Sequence, residues 1–153
     1  MARNEVFISA PPRDVYDLLS NPATYGDWVV GSSEVRHADE DWPRPGSVFG
    51  HSVGLPPLVL RDHTEVLDAE PPVMLKIRAH ARPLPSATIT FHLQPEGTGT
   101  RLTMIETPSH RLLSLLAGPI GHGLLGARNR ESLRRLKELA EGVREPPSGH
   151  RGG

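Results

Sequence analysis

Apolar and polar positions along this chain alternate in a first short stretch, fall into helical spacing, return to alternation, and end on a long helical stripe. Val6 and Ile8 face one way and Phe7 and Ser9 the other, so Glu5 to Ala10 reads as a first strand closed by Pro11 and Pro12. Pro12 suits the first turn of a helix, and Val15, Tyr16, Leu18 and Leu19 repeat at helical spacing until Asn21-Pro22 stops the run. A second helical turn is expected from Pro22 to Trp28. Alternation then predicts strands over Ser32 to Ala38, Ser47 to Gly54, Leu58 to Ala69, Val73 to Arg82, Ala87 to Gln94 and Arg101 to Thr107. Proline- and glycine-rich turns separate them, among them Leu55-Pro56-Pro57, Glu70-Pro71-Pro72, Pro83-Leu84-Pro85 and Glu96-Gly97-Thr98-Gly99.

The last periodic stretch runs from Leu112 to Val143. Its second half carries Leu125, Asn129, Ser132 or Leu133, Leu136 and Ala140 on one stripe. Glu131 with Arg135, Arg134 with Glu138 and Lys137 with Glu141 stand at i, i+4 on the solvent side. The first half, with Gly118, Pro119, Gly121, Gly123 and Gly126, reads as an irregular start where Pro119 breaks the helix and small residues leave room for a ligand or a close backbone approach. Turns too short for crossover helices make the strands antiparallel neighbours. One strand, two short helices, six strands and a long helix give an α+β order, in which that helix must cover the sheet's apolar face.

Length and charge narrow the function. A chain of 153 residues with a net charge of −1 holds one core and offers no basic field for nucleic acid. It contains no cysteine, which excludes disulfides, thiolate metal sites and a cysteine nucleophile. The start MARNEVFISAPP lacks a signal-peptide pattern, so a cytoplasmic location is expected. Leu112 to Gly126 is too short to span a bilayer, so no stable membrane insertion is expected. The eight histidines show no His-x-x-x-His or His-Glu-x-x-His spacing, and neither a metal nor a cofactor is expected. Gly121-His122-Gly123-Leu124-Leu125-Gly126 matches G-x-G-x-x-G only literally, since no strand precedes it and no βαβ unit surrounds it.

Five stretches, EVFISAPPRDVYDLLSNPATYGDWVVG, GSVFGHSVG, DHTEVLDAEPPVMLKIRA, GTRLTMIET and ARNRESLRRLKELAEG, together resemble the START and Bet v 1-like (SRPBCC) superfamily. The likeness is to its bacterial polyketide cyclase/dehydrase and lipid-transport branch, and it extends over about residues 2 to 142. It implies a helix-grip fold: a curved seven-stranded antiparallel sheet around the long C-terminal helix, two short helices after strand 1, and an apolar cavity between. The expected organisation is one ligand-binding domain, 1–143, followed by a disordered tail, 144–153. The resemblance carries over no catalytic set.

Candidate chemistry comes from polar residues on faces that should be apolar. Asn129 lies on the helix stripe, and Glu106 shares a face with Leu102 and Met104. Buried, each needs a partner, and burial would raise the pKa of Glu106; at a solvated strand end Glu106 would be ordinary. Asp62, Thr64 and Val66 alternate on the longest strand, as do Phe49, His51 and Val53 on the preceding one. Val59, His63 and Leu67 offer an equally good opposite face, so two phases of that strand fit. If the first faces inward, His51 and Asp62 join Glu106 and Asn129 in one polar patch, a ligand-site pattern. His51 is either a base or a structural histidine, and Trp28 either borders the cavity or packs the core.

The expected lining is Trp28, Phe49, His51, Asp62, Phe91, Met104, Glu106, Leu116, Leu125 and Asn129, with His51, Glu106 and Asp62 as candidates for acid or base chemistry. The function expected first is binding of a small hydrophobic molecule, aromatic, polyketide-like or acyl, by a monomer or homodimer. The second is a polyketide aromatase/cyclase or dehydratase, with His51 or Glu106 removing a proton α to a carbonyl and Asn129 stabilising the enolate. In a third, Leu112 to Leu125 anchors the protein at a membrane surface for lipid exchange.

Overall fold

Every strand pairs antiparallel with its neighbours in a seven-stranded sheet of order β1-β7-β6-β5-β4-β3-β2. The computed structural model describes residues 2–29, 32–55, 58–81, 84–108 and 119–142. Its strands are β1 (Ala2–Ile8), β2 (Ser32–Ala38), β3 (Val48–Leu55), β4 (Leu58–Glu70), β5 (Met74–Ala81), β6 (Leu84–Glu96) and β7 (Gly99–Pro108). Between β1 and β2 lie α1 (Pro12–Leu19), a 3₁₀ turn (Pro22–Thr24) and α2 (Tyr25–Trp28); α3 (Pro119–Ala140) ends the domain. This is the α+β order that the alternation and the final stripe predict, in the helix-grip arrangement that the resemblance implies. The tail 144–153 lies outside the described residues.

Burial follows the alternation. Leu75 and Ile77 on β5, Ile89, Phe91 and Leu93 on β6, and Leu102 and Met104 on β7 form one core with Val15, Tyr16 and Leu19 of α1 and Leu133 and Leu136 of α3. The backbone of α3 comes closest to β1, α2 and α1. Its last turn is pinned to the end of β1: Lys137 Nζ donates to the Phe7 carbonyl at 2.6 Å, and Glu141 accepts from the Ser9 amide at 2.7 Å. The anticipated i, i+4 pairs all form: Lys137 lies 3.2 Å from Glu141 at this pinned turn, and on the exposed side Arg135 lies 3.0 Å from Glu131 while Arg134 bridges Glu131 and Glu138.

Among the boundaries that differ from expectation, three have a plain physical reason. β1 begins at Ala2 and ends at Ile8, because its polar start Ala2-Arg3-Asn4 is held by a ladder to Glu106, Ile105 and Met104 that local alternation does not reveal. β6 already starts at Leu84, inside the expected Pro83-Leu84-Pro85 turn, where Leu84 pairs with Ala81. Pro119 opens α3 and does not break it: a proline at the first helical position gives up only an amide that has no partner there anyway. The glycines that follow are helical too. A Cβ placed on Gly123 or Gly126 would meet nothing within 4 Å, so close backbone approach does not explain them.

Candidate functional site

Ladder pairing decides the phase of β4. Phe49 stands opposite Thr64 and His51 opposite Asp62, and all four are buried, whereas the His63 side chain is 39% exposed on the other face. The Phe49, His51, Asp62, Thr64 face is therefore the inner one. His51 Nε2 lies 2.9 Å from Thr64 Oγ1, a partnership between neighbouring strands that leaves the histidine polar but satisfied on this edge. Asp62 is committed to its neighbour: its Oδ1 accepts the His63 amide at 2.9 Å and faces His63 Nδ1 at 3.0 Å. On the outer face that His63 ring stacks on His80, with centroids 4.7 Å apart.

An aromatic wall runs beside this pair. Trp42, Phe49, Tyr25, Trp28 and Phe91 meet successively edge to face, with centroids 4.6 to 6.1 Å apart. The indoles are anchored by their N–H groups, Trp28 to Thr24 Oγ1 at 3.1 Å and Trp42 to the Ser20 carbonyl at 2.6 Å. Tyr25 carries its hydroxyl into this wall with no hydrogen-bond partner among the described residues, and burial pushes its phenol pKa up.

The second polar group lies at the other end of the inner face. Glu106 on β7 is 3% exposed, opposite Ile89 of β6, and its Oε1 lies 3.5 Å from Arg128 Nη1 of α3. Desolvation raises its pKa, and the Arg128 charge opposes that shift. Beside Arg128 in sequence, Asn129 is 0% exposed, and neither its Oδ1 nor its Nδ2 has a hydrogen-bond partner among the described residues.

These groups do not make one patch. Glu106 pairs across to Ile89, Ile89 to Ile77 and Ile77 to Val66, and Asp62 lies four residues further along β4. On a flat sheet that is roughly 14 Å across the strands and roughly 13 Å along them. Sequence alternation sorts each strand into two faces but cannot measure the rungs between them. The inner face thus has two polar stations, His51 with Thr64 and Glu106 with Arg128, divided by Ile77, Val66, Ile89 and Phe91.

Trp28, Phe49, Phe91 and Met104, four of the expected lining residues, are all buried. Leu116 and the side chain of Leu125 lie outside the described residues, as does most of the expected membrane-surface segment Leu112 to Leu125. Periodicity alone missed three participants. Thr64 carries a hydroxyl on a position typed only as inward; Tyr25 sits in a four-residue helix too short to show a face; Arg128 lies off the apolar stripe but reaches across to the sheet. Among the described residues no group of three or more His, Asp or Glu side chains is placed to hold a metal ion, and no helix is long and apolar enough to cross a membrane.

Such a sheet, gripping helix and polar-dotted inner face define a class, and the sequence places the chain within it. The family model for polyketide cyclase/dehydrase and lipid transport matches residues 2–141, and the chain belongs to that family. No curated protein matches the sequence. Among solved structures, a Chromobacterium violaceum protein is 19% identical, with 91% of this chain and 95% of that one aligned and a TM-score of 0.73. A Nitrosomonas europaea protein is 22% identical over 92% and 94% of the two chains, with a TM-score of 0.70. The di-domain ARO/CYC StfQ from the steffimycin biosynthetic pathway is 16% identical; 92% of this chain aligns with 50% of StfQ, at a TM-score of 0.69. At these identities the likeness is one of fold.

Proposed function

We propose that this protein binds a small hydrophobic molecule, aromatic, polyketide-like or acyl, between the inner face of the sheet and α3. The observation that carries the reading is the composition of that face: buried His51, Thr64 and Glu106 interrupt a wall of Trp28, Phe49, Phe91 and Met104. A core built for stability alone does better without buried ionisable groups, whose desolvation costs several kcal/mol unless fully compensated, about as much as a fold of this size can spare. Apolar walls with a few placed polar groups are what a ligand site needs: area for affinity, hydrogen bonds for orientation. Membership of a family described by polyketide cyclisation and lipid transport agrees with that ligand class.

Native mass spectrometry of protein purified from its own host tests the reading, together with titration of 2-ethylnaphthalene against tryptophan fluorescence. The expected result is a co-purifying mass of a few hundred daltons, or quenching as the probe reaches Trp28. The bare protein mass together with unchanged fluorescence would overturn it.

A second reading, a polyketide aromatase/cyclase or dehydratase, is favoured by one specific observation, the buried Glu106 with its raised pKa. In that reading the Glu106 carboxylate takes a proton α to a carbonyl, and the C–H electron pair moves to the carbonyl oxygen to form an enolate. The enolate carbon attacks a second carbonyl of the same chain, which closes the ring and leaves an alkoxide that takes the proton back from the Glu106 acid; loss of that hydroxyl with an α hydrogen as water then forms the ring double bond. Its check is turnover of a poly-keto thioester: Glu106→Gln should lower kcat at least about 100-fold while probe binding persists. Unchanged kcat would remove Glu106 from the chemistry.

A further inference from the structure

Asn129 is the least explained residue of the inner face. Its side chain is 0% exposed, yet neither the carbonyl oxygen nor the amide nitrogen has a hydrogen-bond partner among the described residues. Nearly all buried polar groups in folded proteins are paired, and one left unpaired forfeits its hydration with nothing in return. Its neighbours on the stripe, Leu133 and Leu136, are ordinary core residues, so an apolar side chain at 129 would suit the fold better. The turn that carries Asn129 is held over the end of β7, where Arg128 Nη1 meets Glu106 Oε1 at 3.5 Å.

We propose that the Asn129 carboxamide recognises the polar end of the bound molecule, and that this end is uncharged and carries a hydrogen-bond donor and an acceptor side by side, as a carboxamide, a lactam or a hydroxy-ketone does. The inference rests on the sheet–helix binding reading above. A side-chain amide offers an acceptor oxygen and donor hydrogens in one plane, so the group that satisfies both must present the converse pair. Charge is excluded by the same pairing: a carboxylate only accepts and an ammonium only donates, so either would leave one of the two Asn129 atoms unpaired. Ligands of this kind keep their apolar body against Phe91 and Met104, which face each other across β6 and β7.

The test has two arms, both on full-length protein freed of small molecules. Thermal unfolding compares wild type with Asn129→Leu, which keeps the γ-branched skeleton and removes the idle amide. The melting temperature is expected to rise by at least about 2 °C, the shift that roughly 1 kcal/mol produces in a domain of this size. A fall would mean that the amide supports the ligand-free fold, and would overturn the proposal. Calorimetry then compares naphthalene-2-carboxamide, 2-naphthoate and 2-ethylnaphthalene. Wild type should bind the carboxamide at least about 10-fold tighter than the ethyl compound, and 2-naphthoate more weakly than the carboxamide, with the 10-fold advantage gone in Asn129→Leu. Equal affinity for carboxamide and ethyl compound, preference for the naphthoate, or an advantage that survives Asn129→Leu would overturn the proposal while leaving the hydrophobic site standing. Failure of 2-ethylnaphthalene itself to bind wild type would instead strike the underlying reading, and this one with it.

Discussion

Glu106 of β7 and Arg128 of α3 meet at 3.5 Å, joining the sheet and the gripping helix by an ion pair whose acid is buried and whose base is 38% exposed. The asymmetry matters because desolvation falls almost wholly on the carboxylate. Its folded pKa lies above the ordinary value of 4.5, so the folded state holds more protons than the unfolded one between those two values. Stability therefore falls as pH rises through that window, the reverse of a paired surface acid. Glu106→Gln should flatten this part of the pH–stability profile and raise stability at neutral pH. Arg128→Met should lower stability at neutral pH by about 1–2 kcal/mol, a modest figure because the guanidinium is partly solvated. Urea unfolding from pH 4 to 8 measures both; a profile for Glu106→Gln parallel to wild type would contradict the assignment.

On the solvent side of α3, hydrogen bonds and charge from Arg134 and Arg135 hold the Glu131 carboxyl down to about 2. Here the sign is the usual one: whatever stability the group adds is present above its unfolded pKa and is lost as pH falls towards about 2. Carboxyl carbon NMR should place the Glu131 midpoint well below those of the other glutamates, and Arg134→Ala should move it back towards the ordinary range.

The last turn of α3 is fastened through Glu141, which accepts the Ser9 amide at 2.7 Å and pairs with Lys137 at 3.2 Å. The Ser9 backbone hydrogen bond is the main reason its carboxyl sits below the ordinary value. Glu141→Ala should cost about 1 kcal/mol and speed hydrogen exchange at Ser9. An unchanged exchange rate there would show that the fastening is not made in solution.

Two glycines should respond in opposite directions. A Cβ at Gly99 would stand 2.5 Å from the Ile8 carbonyl oxygen and 2.6 Å from Phe7 Cζ, whereas at Gly126 it would meet nothing within 4 Å. Gly99→Ala should destabilise by about 1–3 kcal/mol, since β1 must move away from β7. Gly126→Ala should stabilise by about 0.5–1 kcal/mol through helix propensity alone. Chemical denaturation of the two variants decides both.

Much about the inner face follows from the sequence, and the parts that do not share one cause. Alternation and helical spacing are local properties of a chain with one buried face, so the succession of strands and helices, the long final helix and the apolar faces that carry Glu106 and Asn129 could be read from residues alone. The phase of β4 could not, because its two faces are almost equally apolar and only pairing with β3 puts Asp62 and Thr64 inward and His63 outward. Nor could the division of the expected polar patch into two stations, since distance across a sheet is set by strand order and register. Pro119 shows the same limit, for proline both breaks and begins helices, and local spacing does not choose between them. What the sequence determined by itself is which residues share a face of each element. Which of them meet, Glu106 with Arg128 and His51 with Thr64, and which is left unmatched, Asn129, only the tertiary structure decided, because those relations join residues 13 to 22 positions apart or more through the packing of sheet against sheet strand and sheet against helix.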